Sequence, residues 1–127
     1  MFGFGEARDQ YSQVENNDNK AELSHEILAG GASFMAMKMF EDRQRKEGKP
    51  VSHQFAKELL AGFAGGEVDR LAETKGADYI DREKAKHQAK RQAEQLYDSH
   101  YGGNDQYDPS QQGPPRDLQE HFGDNNW

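Results

Sequence analysis

An apolar, glycine-rich stretch occurs twice in this chain, and the pair restricts the folds open to it more than any other feature. Glu26-Ile27-Leu28-Ala29-Gly30-Gly31-Ala32-Ser33 is echoed, 32 residues on, by Glu58-Leu59-Leu60-Ala61-Gly62-Phe63-Ala64-Gly65. The register continues, with Lys38 on Arg70, Met39 on Leu71 and Glu41 on Glu73. Glycine inside a helix costs about 1 kcal/mol relative to alanine, so Gly30, Gly62, Gly65 and Gly66 need a compensating gain. Residues four apart share a helix face, and Ala29/Ser33, Ala61/Gly65 and Gly62/Gly66 are small pairs at that spacing. Such a face lets another helix approach closely and adds dispersion contacts. The expectation is two related helices that pack and self-associate through Ala29, Gly30, Ser33, Phe34, Ala61, Gly62, Phe63, Gly65 and Gly66. On that reading Gly62→Leu or Gly65→Leu overpacks the contact, at about 1–3 kcal/mol, by more than it returns in propensity.

Start and stop signals frame three long helices. The first begins near Asn19 or Ser24 (Asn19 with Glu22 fits a capping box) and stops at Gly48, with Pro50 just beyond. From Ile27 to Phe40 it is apolar almost all round, which places it inside a bundle or partly against another subunit. The second runs from an N-cap at Ser52 to Gly76. The third follows Asp78 and ends at Gly102, with a thin apolar stripe of Ile80, Ala85, Ala89, Ala93, Leu96 and Tyr97. The fold class is all-α: an antiparallel helical hairpin with glycine/alanine-rich packing plus a third long helix, over residues 19–102. Residues 1–18 read as a flexible leader with a short helix around Ala7 to Val14, whose Phe2, Phe4 and Tyr11 dock on the body or bind a partner. Residues 103–127 read as a flexible acidic tail rich in Gly, Asn, Gln and Pro, interrupted by a short helix from Asp117 to Phe122 and ending at Trp127. This tail is expected to be dispensable for folding, with the aromatics Phe122 and Trp127 either anchoring it back onto the body or offering a docking segment for a protein partner.

Composition narrows the function classes. The 127 residues are 33% hydrophobic and 31% charged, with a mean hydropathy of −1.17, so a modest core is expected that does not extend over the full length. Without cysteine there are no disulfides and no thiolate metal sites. The longest apolar run, Ile27 to Phe40, is 14 residues and contains Lys38, short of the roughly 20 a membrane span requires. Of the net charge of −7, −4 falls in residues 102–127, leaving a nearly neutral body. An acidic chain lacking a basic patch argues against nucleic-acid binding. The amino terminus has no secretory-signal pattern, so a cytoplasmic location is the default expectation.

Candidate sites are few. Glu22 and His25 have the spacing of the Glu-x-x-His element of di-iron bundles, but the element occurs once where such a site uses two. Ser24-His25 and Ser52-His53 echo each other at an offset of 28; the histidines either fill first turns or bracket a ligand at one end of the bundle. Glu26 and Glu58 occupy matching positions and are either an acid/base pair or rim charges. Met35, Met37 and Met39 point around the helix and suit core filling. Gly62, Gly65 and Gly66 lie within a helix rather than between a strand and a helix, which excludes a phosphate loop. No catalytic constellation is present, and neither enzymatic activity nor a cofactor is expected.

The chain resembles the CipC-like antibiotic-response family of small fungal proteins. The likeness runs from about Ser24 to Gly103 and is carried by consecutive blocks: Ser24-His25-Glu26, Ala36 to Lys38, Arg45 to His53, Phe55 to Gly65, Leu71 to Gly76 and Asp81 to Lys86. The Met35/Met37/Met39 run departs from the pattern, and the last twenty or so residues follow it loosely. The resemblance implies association with antibiotic or stress response, and it carries no reaction and no catalytic residues. The leading expectation is a non-enzymatic homo-oligomer. The alternative is a bundle binding a small molecule, metal or haem through His25 and His53, and a third possibility has the apolar face lying on a membrane surface.

Overall fold

The computed structural model describes residues 3–16, 24–74 and 81–123. Among them are five helices, α1 (Phe4–Glu15), α2 (His25–Glu47), α3 (His53–Thr74), α4 (Arg82–Tyr101) and α5 (Arg116–Phe122), and no strand beyond a single antiparallel bridge between Val51 and Tyr107.

The helix ends follow side-chain chemistry. Ser24 Oγ accepts from the Ile27 N–H at 3.2 Å, and Ser52 Oγ accepts from the Phe55 N–H at 3.1 Å, each satisfying an orphan donor of a first turn. Gly48 closes α2 in the left-handed conformation, φ 71°, which a residue with a Cβ adopts at a cost. α4 is capped by Asp81, which accepts from the Lys84 N–H. The expected caps at Asn19 and Asp78, the Gly76 stop and Ile80 lie outside the described residues.

α2 occupies the centre. It packs against α1, α3 and α4, which accounts for its apolar character on every side. His53 and Lys57 at the start of α3 meet Tyr97 and Asp98 near the end of α4, while Asp69 far along α3 pairs with Arg82 and Lys86 at the start of α4. These two helices therefore run in opposite directions. α4 packs through Ala85, Ala89, Ala93, Leu96 and Tyr97, all fully buried, as their helical spacing predicts.

The hairpin-plus-third-helix picture omits two elements. The leader forms α1, which lies on α2 and buries Ala7, Tyr11 and Val14. The segment after Gly103 is not a free tail either: Tyr107 and Leu118 are fully buried, and Val51 and Tyr107 exchange backbone hydrogen bonds of 2.9 and 3.0 Å. A handful of long-range anchors holds this segment down, where a periodic apolar face would be required of an independent element.

The small residues also find different partners. Gly30 and Gly31 face α1, where a Cβ on Gly30 would fall on the Gln10 side chain and one on Gly31 would press on Val14 Cγ2 at 3.1 Å and the Tyr11 backbone at 3.4 Å. Gly65 sits beneath Lys90 of α4, while Gly62 and Gly66 open onto space with nothing within 4 Å of a built Cβ. Within one chain the two glycine-rich stretches thus do not meet through their glycines, and the overpacking expected of Gly62→Leu has nothing to act against. The overpacking argument transfers to Gly31. Gly31→Leu should cost about 1–3 kcal/mol by forcing α1 off α2, measured as a lowered urea midpoint and faster proteolysis before residue 16; an unchanged midpoint would show that α1 adjusts freely.

Candidate functional site

The most heavily built constellation is a buried polar cluster where α2, α4 and the segment after α4 converge. Glu41, on α2, has no exposed surface, and its carboxylate accepts from the hydroxyls of Tyr101 on α4 and Tyr107 on the following segment, the latter at 3.1 Å. One turn along α2, Arg45 donates from Nε to Glu41 at 2.9 Å, while its Nη groups reach the carbonyls of Pro109 (3.2 Å) and Gln112 (2.9 Å) and the Tyr101 oxygen (3.0 Å). Burial pushes the Glu41 carboxyl above its ordinary range, and the Arg45 charge and the hydroxyl donors pull against that push. Burial likewise drives the Tyr101 and Tyr107 hydroxyls far up, so both remain protonated donors. Phe40, Tyr97, Tyr101 and Tyr107 pack edge to face around the cluster. With every polar group in it matched to another, the arrangement fastens one segment to the bundle.

A surface cleft of about 770 Å³ opens beside it, between α2 and the 109–114 loop. It is lined by Lys38, Arg45 and Lys46, but Lys38 Nζ lies 2.5–2.6 Å from the two oxygens of Asp42 and Arg45 is held by Glu41. Most of the positive charge there is already balanced.

The two candidate histidines do not come together. His25 Nε2 accepts from the Asp81 backbone N–H at 3.1 Å, at the start of α4. His53 lies at the other end, with Nδ1 2.6 Å from the Tyr97 hydroxyl and Nε2 2.6 Å from the Asn104 carbonyl. A carbonyl only accepts, so Nε2 carries the proton and, in the neutral ring, Nδ1 accepts from Tyr97. Asp81 and Tyr97 are separated by about 24 Å along α4 at 1.5 Å per residue, which rules out a shared ligand. Glu22 lies outside the described residues, among which no group of three His, Asp or Glu side chains is placed to hold a metal. Glu26 and Glu58 are parted in the same way: Glu26 adjoins the His25 end, and Glu58 adjoins Lys57, which pairs with Asp98. Both are exposed rim charges.

The remaining constellation is the outward face of α3. Phe55 is 49% exposed, the one large hydrophobic side chain so placed among the described residues. Leu59 and Phe63, at successive four-residue steps, are half-buried, and Gly62 and Gly66 beside them are exposed. Of the residues expected to self-associate, Ala29, Gly30, Ser33 and Phe34 are buried within the chain, whereas Ala61, Gly62, Phe63 and Gly66 reach its surface. Gly65 is buried.

Sequence reasoning missed the Glu41 cluster. Its traces were two four-residue spacings, Glu41/Arg45 and Tyr97/Tyr101, each of which suits an ordinary helix-surface pair; the lone Tyr107 gave no pattern at all. No helix among the described residues is long and apolar enough to cross a membrane. In comparison with known proteins, the chain matches a family described as virulence factor CipC-like over residues 10–100. No curated protein and no solved structure matches it.

Proposed function

This chain belongs to the CipC-like virulence-factor family, and from that premise we propose that it is a cytoplasmic, self-associating helical protein of a stress or antibiotic response that works by assembly rather than catalysis. The observation that carries the reading is the outward face of α3. Phe55, Leu59 and Phe63 form an apolar row on a chain that is otherwise strongly polar, and the open glycines beside them let a second surface come within backbone distance. The Glu41 cluster supports the same reading, because its titratable groups are spent on holding the fold together. The segment after Gly103 buries Tyr107 and Leu118 and offers the Pro109 and Gln112 carbonyls to Arg45, while Trp127 lies outside the described residues.

Gel filtration with light scattering tests the proposal. The wild-type chain at micromolar concentration should have the mass of at least two copies, and Phe55→Arg or Gly62→Leu should reduce it to one. Neither substitution should lower the melting temperature of the monomer, since Phe55 is half exposed and Gly62 opens onto space. A wild-type chain that is monomeric throughout this range removes the proposal.

A further inference from the structure

The same face of α3 contains its own complement. Glu58, Gly62, Gly66 and Arg70 follow one another at four-residue intervals, and on an α-helix such a row is a straight line inclined to the axis. Its two central members lack side chains and are open; its outer members carry opposite charges and are exposed. Reversing the row exchanges Glu58 with Arg70 and Gly62 with Gly66. We propose that α3 pairs with α3 of a second copy of this chain, antiparallel about a two-fold axis at residue 64, with Gly62 against the other copy's Gly66 and Glu58 against its Arg70.

The inference rests on the self-association proposed above and specifies its geometry. Rows of this kind from two helices lie along one another when the axes cross near 50°, the commonest packing class in globular proteins. Glycines at the crossing permit close approach. A two-fold axis also makes each charge contact occur twice, which is the self-complementarity an isologous interface requires. Arg70 is already held by Glu67 on the same helix through Nε and Nη2 at 2.7–3.1 Å and lies beside Tyr11 of α1, and its side chain, 49% exposed, leaves Nη1 to reach a second carboxylate. The Phe55–Leu59–Phe63 row runs alongside and supplies apolar burial, while the charges fix the register and direction.

The absence of cysteine allows a direct test on the full-length chain. Cβ atoms fit at Gly62 and Gly66 without contact inside 4 Å, so Gly62→Cys and Gly66→Cys chains should fold normally. A disulfide needs Cβ atoms about 3.5–4.5 Å apart. In the proposed register residue 62 lies level with the other copy's residue 66, whereas residue 62 is offset from its own symmetry mate by about 6 Å along the helix. An equimolar mixture of the two variants, mildly oxidised, should convert mostly to the mixed disulfide, and either variant alone should remain largely reduced. Glu58→Arg, which sets like charges opposite Arg70, should raise the dimer dissociation constant about tenfold or more at low salt. If wild type is a dimer and the mixture cross-links no better than the separate variants, this register is wrong and self-association survives. If wild type is a monomer, both fall.

Discussion

Ending the chain after Gly103 should unfold the protein at temperatures where the full-length chain is intact. The truncation deletes Tyr107 and Leu118, both fully buried, together with α5 and its Phe122 ring, which stacks at 5.8 Å on Phe34. Each large buried side chain contributes about 1.5–3 kcal/mol of burial. The loss does not end with the deleted atoms. Glu41 would lose the Tyr107 hydroxyl, Arg45 would lose the Pro109 and Gln112 carbonyls, and Val51 would lose both of its bridge hydrogen bonds. A domain of this size commonly has only about 5–15 kcal/mol in total, so the combined loss consumes most of it. Circular-dichroism melting of the two chains makes the comparison. A truncated chain with the wild-type transition would return residues 104–123 to the status of a dispensable tail.

Arg45→Met should be the most damaging single substitution. It leaves the Glu41 carboxylate buried with hydroxyl donors alone and orphans two carbonyls, and breaking one side of a buried pair costs about 3–5 kcal/mol. Glu41→Gln should be milder, because the amide keeps the shape and an acceptor for a tyrosine hydroxyl. The pair also defines a pH dependence. Burial holds the Glu41 carboxyl above its ordinary value of 4.5, so between that value and the raised one the native state retains a proton that the unfolded chain has released. Stability contributed by this group is therefore present below pH 4.5 and is lost as the pH rises through the raised value. Urea midpoints measured from acid to neutral pH should consequently drift in favour of Glu41→Gln relative to wild type. A constant difference across that range would mean that the Arg45 charge fully offsets the burial.

Much of the helical body was legible because its signals are local. Ser24, Gly48 and Ser52 mark ends through backbone chemistry that needs no distant partner. The α4 stripe is legible for a related reason: Ala85, Ala89 and Ala93 recur at the helical period and share one buried face. What failed was the identity of partners. The small pair spacing announces a close approach, yet nothing local distinguishes α1, which receives Gly30 and Gly31, from α3. Tyr107 and Leu118 stand 11 residues apart amid polar sequence, so their burial has no periodicity to betray it. The histidines misled in the opposite sense. Their echo in sequence suggested convergence, and the opposed directions of α2 and α3, which they open, send them to opposite ends.

α1 and α5 hold each other. Arg8 reaches Glu120 at 2.8 Å and Asp117 at 3.4 Å, His121 lies 3.0 Å from Glu15, and Tyr11 packs against the His121 and Phe122 rings. The partners are separated by more than 100 residues of chain. A ribosome adding about 5–20 residues per second therefore delivers the first helix several seconds before the last one exists. During that interval Tyr11 and Phe34 lack their covering rings, and α1 lacks the ion pairs that α5 supplies. Closure of the ring formed by α1 and α5 must wait until α5 has been made. A nascent chain stalled before α5 is thus a different object from the folded protein, with an open aromatic seam where the folded protein has a sealed one.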